Sequence, residues 1–202
     1  MVCMAKPLAK TPGSSMHIHQ SVVEIGSGKN VFSDAAGEPT TMFHHFIMAD
    51  FTALFAPNVN SYQRLCHPYA SPNNACWSHD NRAAGLRIPA SSPVARRVEN
   101  RLPGADANPY LAIAASLAAG LYGIEQGLEP TPAIQGEFEV PDALSLPCTL
   151  HAALERLKRS RVAQELFGRE FIEGYIASKT LELTSFLDEI SPWERRVLAA
   201  QA

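Results

Sequence analysis

Between Asn108 and Ile124 the chain reads NPYLAIAASLAAGLYGI, a run without a single charged side chain. Such a run must be buried in a protein core or in a bilayer, and that choice constrains the fold more than any other feature. It is near the lower length limit for a membrane span, rich in Ala rather than Leu, and carries Pro109 at its start. The reading is a buried helix that packs closely through its small residues. No charged-then-apolar leader opens the sequence, so nothing points to export, and a cytoplasmic location is expected.

A core large enough for such a helix fits one large domain of 202 residues, of which 46% are hydrophobic, as in ordinary soluble proteins. The formal net charge of -3 leaves no basic excess to displace counterions from a phosphate backbone, which argues against a nucleic-acid partner. Cys3, Cys66, Cys76 and Cys148 are scattered without a C-x-x-C pair, as expected of reduced thiols in a cytosolic enzyme.

From Met16 to about Asp34 the pattern predicts a β-hairpin, with MHIHQSVVEI as one arm, GSGKN as the turn and VFSD starting the return. The GSGK within it is a turn and not a phosphate loop, because Val23 and Asn30 stand where that motif needs Gly and Ser or Thr. Thr41 to Pro57 predicts a helix, on which His44 and His45 are surface or boundary residues. Residues 58 to 78 read as loop, followed by strands in AGLRIPA and RRVENRLP. The last third reads as helical: one helix from about Thr149 to Gly168, a second over about Glu170 to Leu187, and a short one opened by the capping box SPWE.

Two strand segments carry chemistry. On a strand, residues two apart share a face, so His17 and His19 point the same way, either as surface histidines on an edge or as a pair aimed into a cavity. Arg97, Glu99 and Arg101 share a face by the same rule. They form either an exposed ladder of weak ion pairs or a site in which Glu99 holds a cation while the arginines grip anionic groups. Six arginines (Arg64, Arg82, Arg87, Arg96, Arg97 and Arg101) lie between positions 64 and 101 of a chain with 17 basic residues. Two histidines, a glutamate and this arginine group together suggest a metal-assisted reaction on phosphate and carboxylate substrates.

The ordered series MAKP, GSSMHIHQS, NSYQRL, NRAAGLRIP and RRVENRLPGADANPYLA resembles the carboxy-terminal catalytic half of glutamine synthetases over nearly the whole chain. It is nearest to members that join the γ-carboxyl of glutamate to an amine, such as γ-glutamylpolyamine synthetases. The resemblance implies an α+β fold with a curved, mostly antiparallel sheet backed by helices. Residues 1–147 would form the sheet-containing active-site part and residues 148–202 the helical part. It also implies Mg²⁺ or Mn²⁺, with His17 and Glu99 as ligands and ATP as co-substrate. His19, Ser21, Arg82, Arg87 and Arg97 match positions around ATP, and Gly13, Arg64 and Arg101 match positions serving glutamate. Arg64, Arg82 and Arg101 are the residues expected to serve phosphoryl transfer.

Two departures bear on the substrate. Ala70 in YASP stands where ammonia-using relatives carry a glutamate that binds and deprotonates ammonium, which favours a larger primary amine. Val94 stands where many relatives have a lysine near the nucleotide, and Pro12 where an asparagine is common. The family draws its remaining metal glutamates and an amino-terminal β-grasp domain from sequence preceding MAKP, and it assembles as homo-oligomeric rings. The expectation is therefore a carboxy-terminal fragment, inactive on its own, of a ligase that consumes glutamate, ATP and an amine. Ammonia-dependent glutamine synthesis and a non-catalytic assembly module are the alternatives.

Overall fold

A computed structural model of the chain describes residues 3–47, 51–66, 71–136 and 138–199. At its centre is a four-stranded mixed sheet of short strands: β1 (Ile18–Gln20), β2 (Trp77–His79), β3 (Leu86–Ile88) and β4 (Val98–Asn100), in the order β1-β4-β3-β2. β4 pairs antiparallel with both β1 and β3, while β2 and β3 run parallel. The α+β expectation holds.

The predicted hairpin is only partly formed. β1 finds its ladder partner in β4, far along the sequence, and the return arm contributes one isolated bridge, Val23 to Asn30. The GSGK segment is indeed a turn, with Gly26 and Gly28 at φ of 94° and 67°, a region that Gly enters without steric cost. Its return arm is tied elsewhere: Asn30 Nδ2 donates to the carbonyls of Val94 and Arg96, and the Arg96 guanidinium bonds Phe32 O, Ser33 Oγ and Gly37 O. Arg96, one of the six clustered arginines, is thus used to hold a loop.

The single helix predicted over 41–57 is two: α1 (Thr41–Phe46), which ends at Ile47, and α2 (Thr52–Phe55). His44 and His45 are half-buried boundary residues; His44 packs edge-on to Trp77 and His45 Nε2 lies 3.1 Å from Glu129 Oε1. The predicted loop over 58–78 contains a helix, α3 (Val59–Leu65), and ends in β2. Asn58 and Ser61 exchange hydrogen bonds as a capping box at its start, a signal that is present in the sequence as N-x-x-S.

The uncharged run forms α4 (Pro109–Gln126), capped by Asn108 and ended by Gly127 in the left-handed conformation. It is not buried all round. Ala112, Ala115, Ser116, Ala119, Gly120 and Gly123 face the core, while Tyr110, Ile113, Leu117 and Leu121 are exposed. No helix among the described residues is long and apolar enough to cross a membrane. The predicted helix over 149–168 breaks into α5 (Leu150–Arg159) and α6 (Arg161–Phe167) at Ser160, whose extended backbone closes one helix while its hydroxyl caps the next. α7 (Arg169–Leu187) and α8 (Pro192–Leu198) follow, and α8 has both hydrogen bonds of its Ser191/Glu194 capping box.

Period-two alternation divides the sheet. One face turns Ile18, Gln20, Leu86, Ile88, Val98 and Asn100 towards the helices. There α4 docks through a polar tie in which Asn100 Nδ2 donates to Ser116 Oγ at 3.1 Å and Ser116 donates on to Gln20 Oε1 at 2.5 Å. The other face is free for chemistry.

Candidate active site

The strand register explains the site. His19 stands opposite Glu99 across the β1–β4 ladder, and Glu99 stands opposite Arg87 across β4–β3. These three side chains therefore form one row across three strands, on the face away from α4. His17 and Arg101, each two residues along the same face, complete the cluster.

Glu99 is its centre, with only 2% of its surface exposed. Its Oε1 lies 3.0 Å from His17 Nδ1, 2.9 Å from Arg101 Nη1 and 3.8 Å from His19 Nε2, and its Oε2 accepts from Arg87 Nη1 at 2.5 Å. Burial raises the carboxyl's pKa, but the Arg87 hydrogen bond and the charges of Arg101 and Arg87, with a smaller electrostatic contribution from His17, outweigh it and hold the group below the usual carboxylate range. Burial, with Arg101 next, keeps the His17 imidazole below its ordinary value against the opposing pull of Glu99. A neutral imidazole is the form that binds metal. Ser15 Oγ, 2.9 Å from His17 Nε2, orients the ring from its other side.

Two ligands on adjacent corners of an octahedron with bonds of about 2.1 Å stand about 3.0 Å apart, which is the separation found between His17 Nδ1 and Glu99 Oε1. The pair thus fits a hard divalent ion as two of about six donors. Among the described residues no group of three or more His, Cys, Asp and Glu side chains surrounds such a point.

The remaining expected residues divide into two sets. Arg87 bridges Glu99 and Asp80, with Nη2 2.5 Å from Asp80 Oδ1. Arg97 Nε donates to His19 Nδ1 at 3.2 Å, and Ser21 is exposed just past the end of β1. Arg82 is exposed and, with Arg101, lines an open cleft of about 500 Å³ walled by residues 71–74 and by Phe138 and Val140. Arg101 Nε is buried without a hydrogen-bond partner, while Nη1 of the same side chain is committed to Glu99. Val94, at the position expected to differ from relatives, lines a second cleft of about 590 Å³ together with Lys29. Ala70 lies outside the described residues.

Arg64 behaves differently from its neighbours. It is 2% exposed, and its terminal nitrogens donate to the carbonyls of Arg101, Leu102 and Pro103 at 2.9–3.1 Å. Those bonds tie α3 to the chain leaving β4, so the guanidinium positions Arg101 and offers no free fork to a carboxylate. Burial pushes its pKa down to about 10, so it stays charged at neutral pH. Gly13 lies against it: a Cβ there would come within 2.7 Å of Arg64 Cγ and 2.5 Å of Ala5 O, leaving room for Gly alone.

Sequence reading missed Asp80 as the second anchor of Arg87. Asp80 sits at φ 46°, an uncommon conformation for a non-Gly residue, which aims its carboxylate back along β3. It also missed Asp106, whose Oδ2 accepts from Asn58 Nδ2 and Ser61 Oγ and so locks the start of α3 to the segment after β4. Neither pairing has a signal in local spacing.

A mixed sheet thus gathers one carboxylate, two imidazoles and several guanidiniums on one face. The chain belongs to the glutamine synthetase family: the profile of the "Glutamine synthetase, catalytic domain" matches residues 1–198. It is 37% identical over 205 residues to Type-1 glutamine synthetase 2 of Dictyostelium discoideum, a match that covers 95% of this chain and 39% of that protein. It is 37% identical over 202 residues to glutamate–isopropylamine ligase of a Pseudomonas species, covering 95% and 44%. With γ-glutamylputrescine synthetase PuuA of Escherichia coli it shares 38% identity over 189 residues, covering 91% and 40%. The chain spans less than half the length of these relatives, and relatives named as glutamine synthetases and as amine ligases match it almost equally well.

Proposed function

We propose that the chain supplies the nucleotide and glutamate side of an ATP-dependent ligase that joins the γ-carboxyl of glutamate to an amine through γ-glutamyl phosphate. The observation that carries this reading is the row His19, Glu99 and Arg87, flanked by His17 and Arg101, on one open sheet face.

The reaction brings anions together: a γ-carboxylate oxygen attacks the γ-phosphorus of ATP and ADP departs. An amine nitrogen then attacks the acyl carbon, phosphate leaves, and the nitrogen loses a proton. His17 and Glu99 would hold Mg²⁺ or Mn²⁺, which when bound supplies positive charge to screen the phosphates. Arg87 and Arg101 keep the Glu99 carboxylate ionised and fixed. Arg82 and Arg101 line a cleft where their positive charge would attract anionic oxygens. His19, Arg97 and Ser21 line the exposed end of the same face, where the nucleotide would lie. Arg64 and Gly13 set the position of Arg101 from behind. Ala70 brings no carboxylate for ammonium, which favours a larger primary amine that carries its own recognition. The remaining donors to the ion would come from phosphate oxygens, water or protein beyond the described residues.

Calorimetry with ATP and Mn²⁺ tests the site. Saturable binding is expected, reduced at least about tenfold by Glu99→Gln and by His17→Ala, since changes around a metal site cost roughly ten- to a hundredfold in affinity. No binding, or binding indifferent to both changes, would leave the assembly-module alternative. Phosphate release with glutamate and either putrescine, ethanolamine or ammonium, measured on the protein purified from its own host, ranks the amines. Preference for ammonium would favour glutamine synthesis.

A further inference from the structure

The two histidines of the H-x-H segment have different partners, and the partner of His19 fixes where its ring carries the proton. Arg97 Nε donates to His19 Nδ1 at 3.2 Å. A guanidinium has five N–H donors and no acceptor, so Nδ1 takes this bond through its lone pair and the ring proton sits on Nε2. Arg97 is itself tethered, since its Nη1 donates to Ala95 O at 3.1 Å, at the end of the 3₁₀ turn Pro93–Ala95. Its Nε therefore meets the ring from a fixed side. We propose that Arg97 is a positioning residue that holds His19 as an Nε2–H donor for an anionic oxygen of the bound nucleotide, while His17 on the same strand face presents a lone pair. The acceptor named here rests on the ligase reading; the placement of the proton does not.

The Nε2 edge of His19 faces the row. It lies 3.8 Å from Glu99 Oε1, beyond hydrogen-bond reach, and that oxygen already accepts from Arg101 Nη1 and stands 3.0 Å from His17 Nδ1. The Nε2–H is thus uncommitted among the described residues, and with 43% of its side chain exposed the ring can be reached from solvent. His17 turns its other end to the row: Nδ1 faces Glu99 and Nε2 faces Ser15 Oγ. Charge favours an anionic acceptor at His19. The row and its flanks carry the guanidiniums of Arg87, Arg97 and Arg101 against the carboxylates of Asp80 and Glu99, three positive charges to two negative. A ring N–H donating to a phosphate oxygen in that field makes a charge-assisted bond, which is the stronger kind. One strand face then serves both signs of charge, a lone pair from position 17 and a donor from position 19.

Long-range ¹H–¹⁵N NMR of the ligand-free full chain, at about pH 8 where an ordinary imidazole is neutral, reads the proton's position directly. His19 is assigned among the seven histidines by the signal missing from His19→Gln. Nε2 should carry the proton and Nδ1 should show the shift of an accepting nitrogen. In Arg97→Met the Nδ1 signal should move to that of a free imidazole nitrogen, and Arg97→Lys, which keeps a donor, should restore part of the shift. Calorimetry with ATP and Mn²⁺ then tests the donor. His19→Asn, whose amide NH₂ takes the place of Nδ1, should weaken ATP at least about tenfold, the worth of one hydrogen bond to a charged oxygen. His19→Gln, whose amide reaches the place of Nε2, should recover most of that loss. A proton on Nδ1, an Nδ1 shift indifferent to Arg97→Met, or equal losses in the Asn and Gln variants would each overturn the proposal and leave the ligase reading standing. A parent chain that binds no ATP overturns the ligase reading, and the acceptor assigned to His19 with it.

Discussion

Gly120→Ala measures how tightly α4 is seated behind the active-site strands. A Cβ at position 120 would lie 2.4–2.6 Å from three atoms of the Phe46 ring, about 1 Å inside ordinary carbon contact. The ring cannot retreat: Phe46 is 2% exposed and packs at 5.1 Å, centroid to centroid, on Phe32, which in turn packs on Phe43 at 5.3 Å. Overpacking of this kind costs about 1–3 kcal/mol, and a mid-helix Gly-to-Ala change returns about 1 kcal/mol through propensity. The net expectation is a loss of up to about 2 kcal/mol. Gly174, within α7, provides the opposite case, because a methyl there would meet no heavy atom within 4 Å and the residue is exposed. Gly174→Ala should therefore gain up to about 1 kcal/mol from propensity alone. Urea unfolding of the two variants and the parent, compared by midpoint at a common slope, separates the signs. If Gly120→Ala is as stabilising as Gly174→Ala, α4 does not pack on Phe46 as described, and the tie from Ser116 to Gln20 and Asn100 loses its support.

Two further outcomes follow from the polar ties. Arg64→Met removes the side-chain donor to the carbonyls of Arg101 and Leu102, while Pro103 O keeps its bond from Met16 N. A loss of about 3 kcal/mol in urea unfolding is expected, from roughly 1–3 kcal/mol per buried unsatisfied group less the relief of a buried charge. A variant within about 0.5 kcal/mol of the parent, the range of ordinary surface changes, would show that the tie is dispensable. The Glu194 carboxyl is held below the ordinary glutamate range by the Ser191 side chain first and its backbone N–H second. A depressed folded value contributes stability above the unfolded value and loses it as pH falls through the folded one. Carboxyl NMR should therefore place the Glu194 midpoint below that of free glutamate, with α8 fraying as it protonates. Glu194→Gln should remove that pH dependence, and an unshifted midpoint would refute the capping box in solution.

Much of the site was legible in the chain because strand alternation is local. Placing His17 with His19, and Glu99 with Arg101, on shared faces needs only the period of two, and the capping box of α8 and the stop of α7 are equally local. The family motifs added roles that spacing alone left open. The helix breaks were less legible: Ser160 reads both as a tolerable helix residue and as a cap, and only packing of α6 on α7 decides between them.

What the sequence determined by itself was which residues share a face, where the small-residue helix starts and stops, and which family pattern the chain carries. Tertiary structure alone decided that β1 pairs with β4 rather than with its hairpin return, that Asp80 holds Arg87, and that Arg64 turns to backbone carbonyls. The reason is that periodicity sets the direction of a side chain, whereas its neighbour is set by register between segments far apart in the chain, which the burial of the whole core selects.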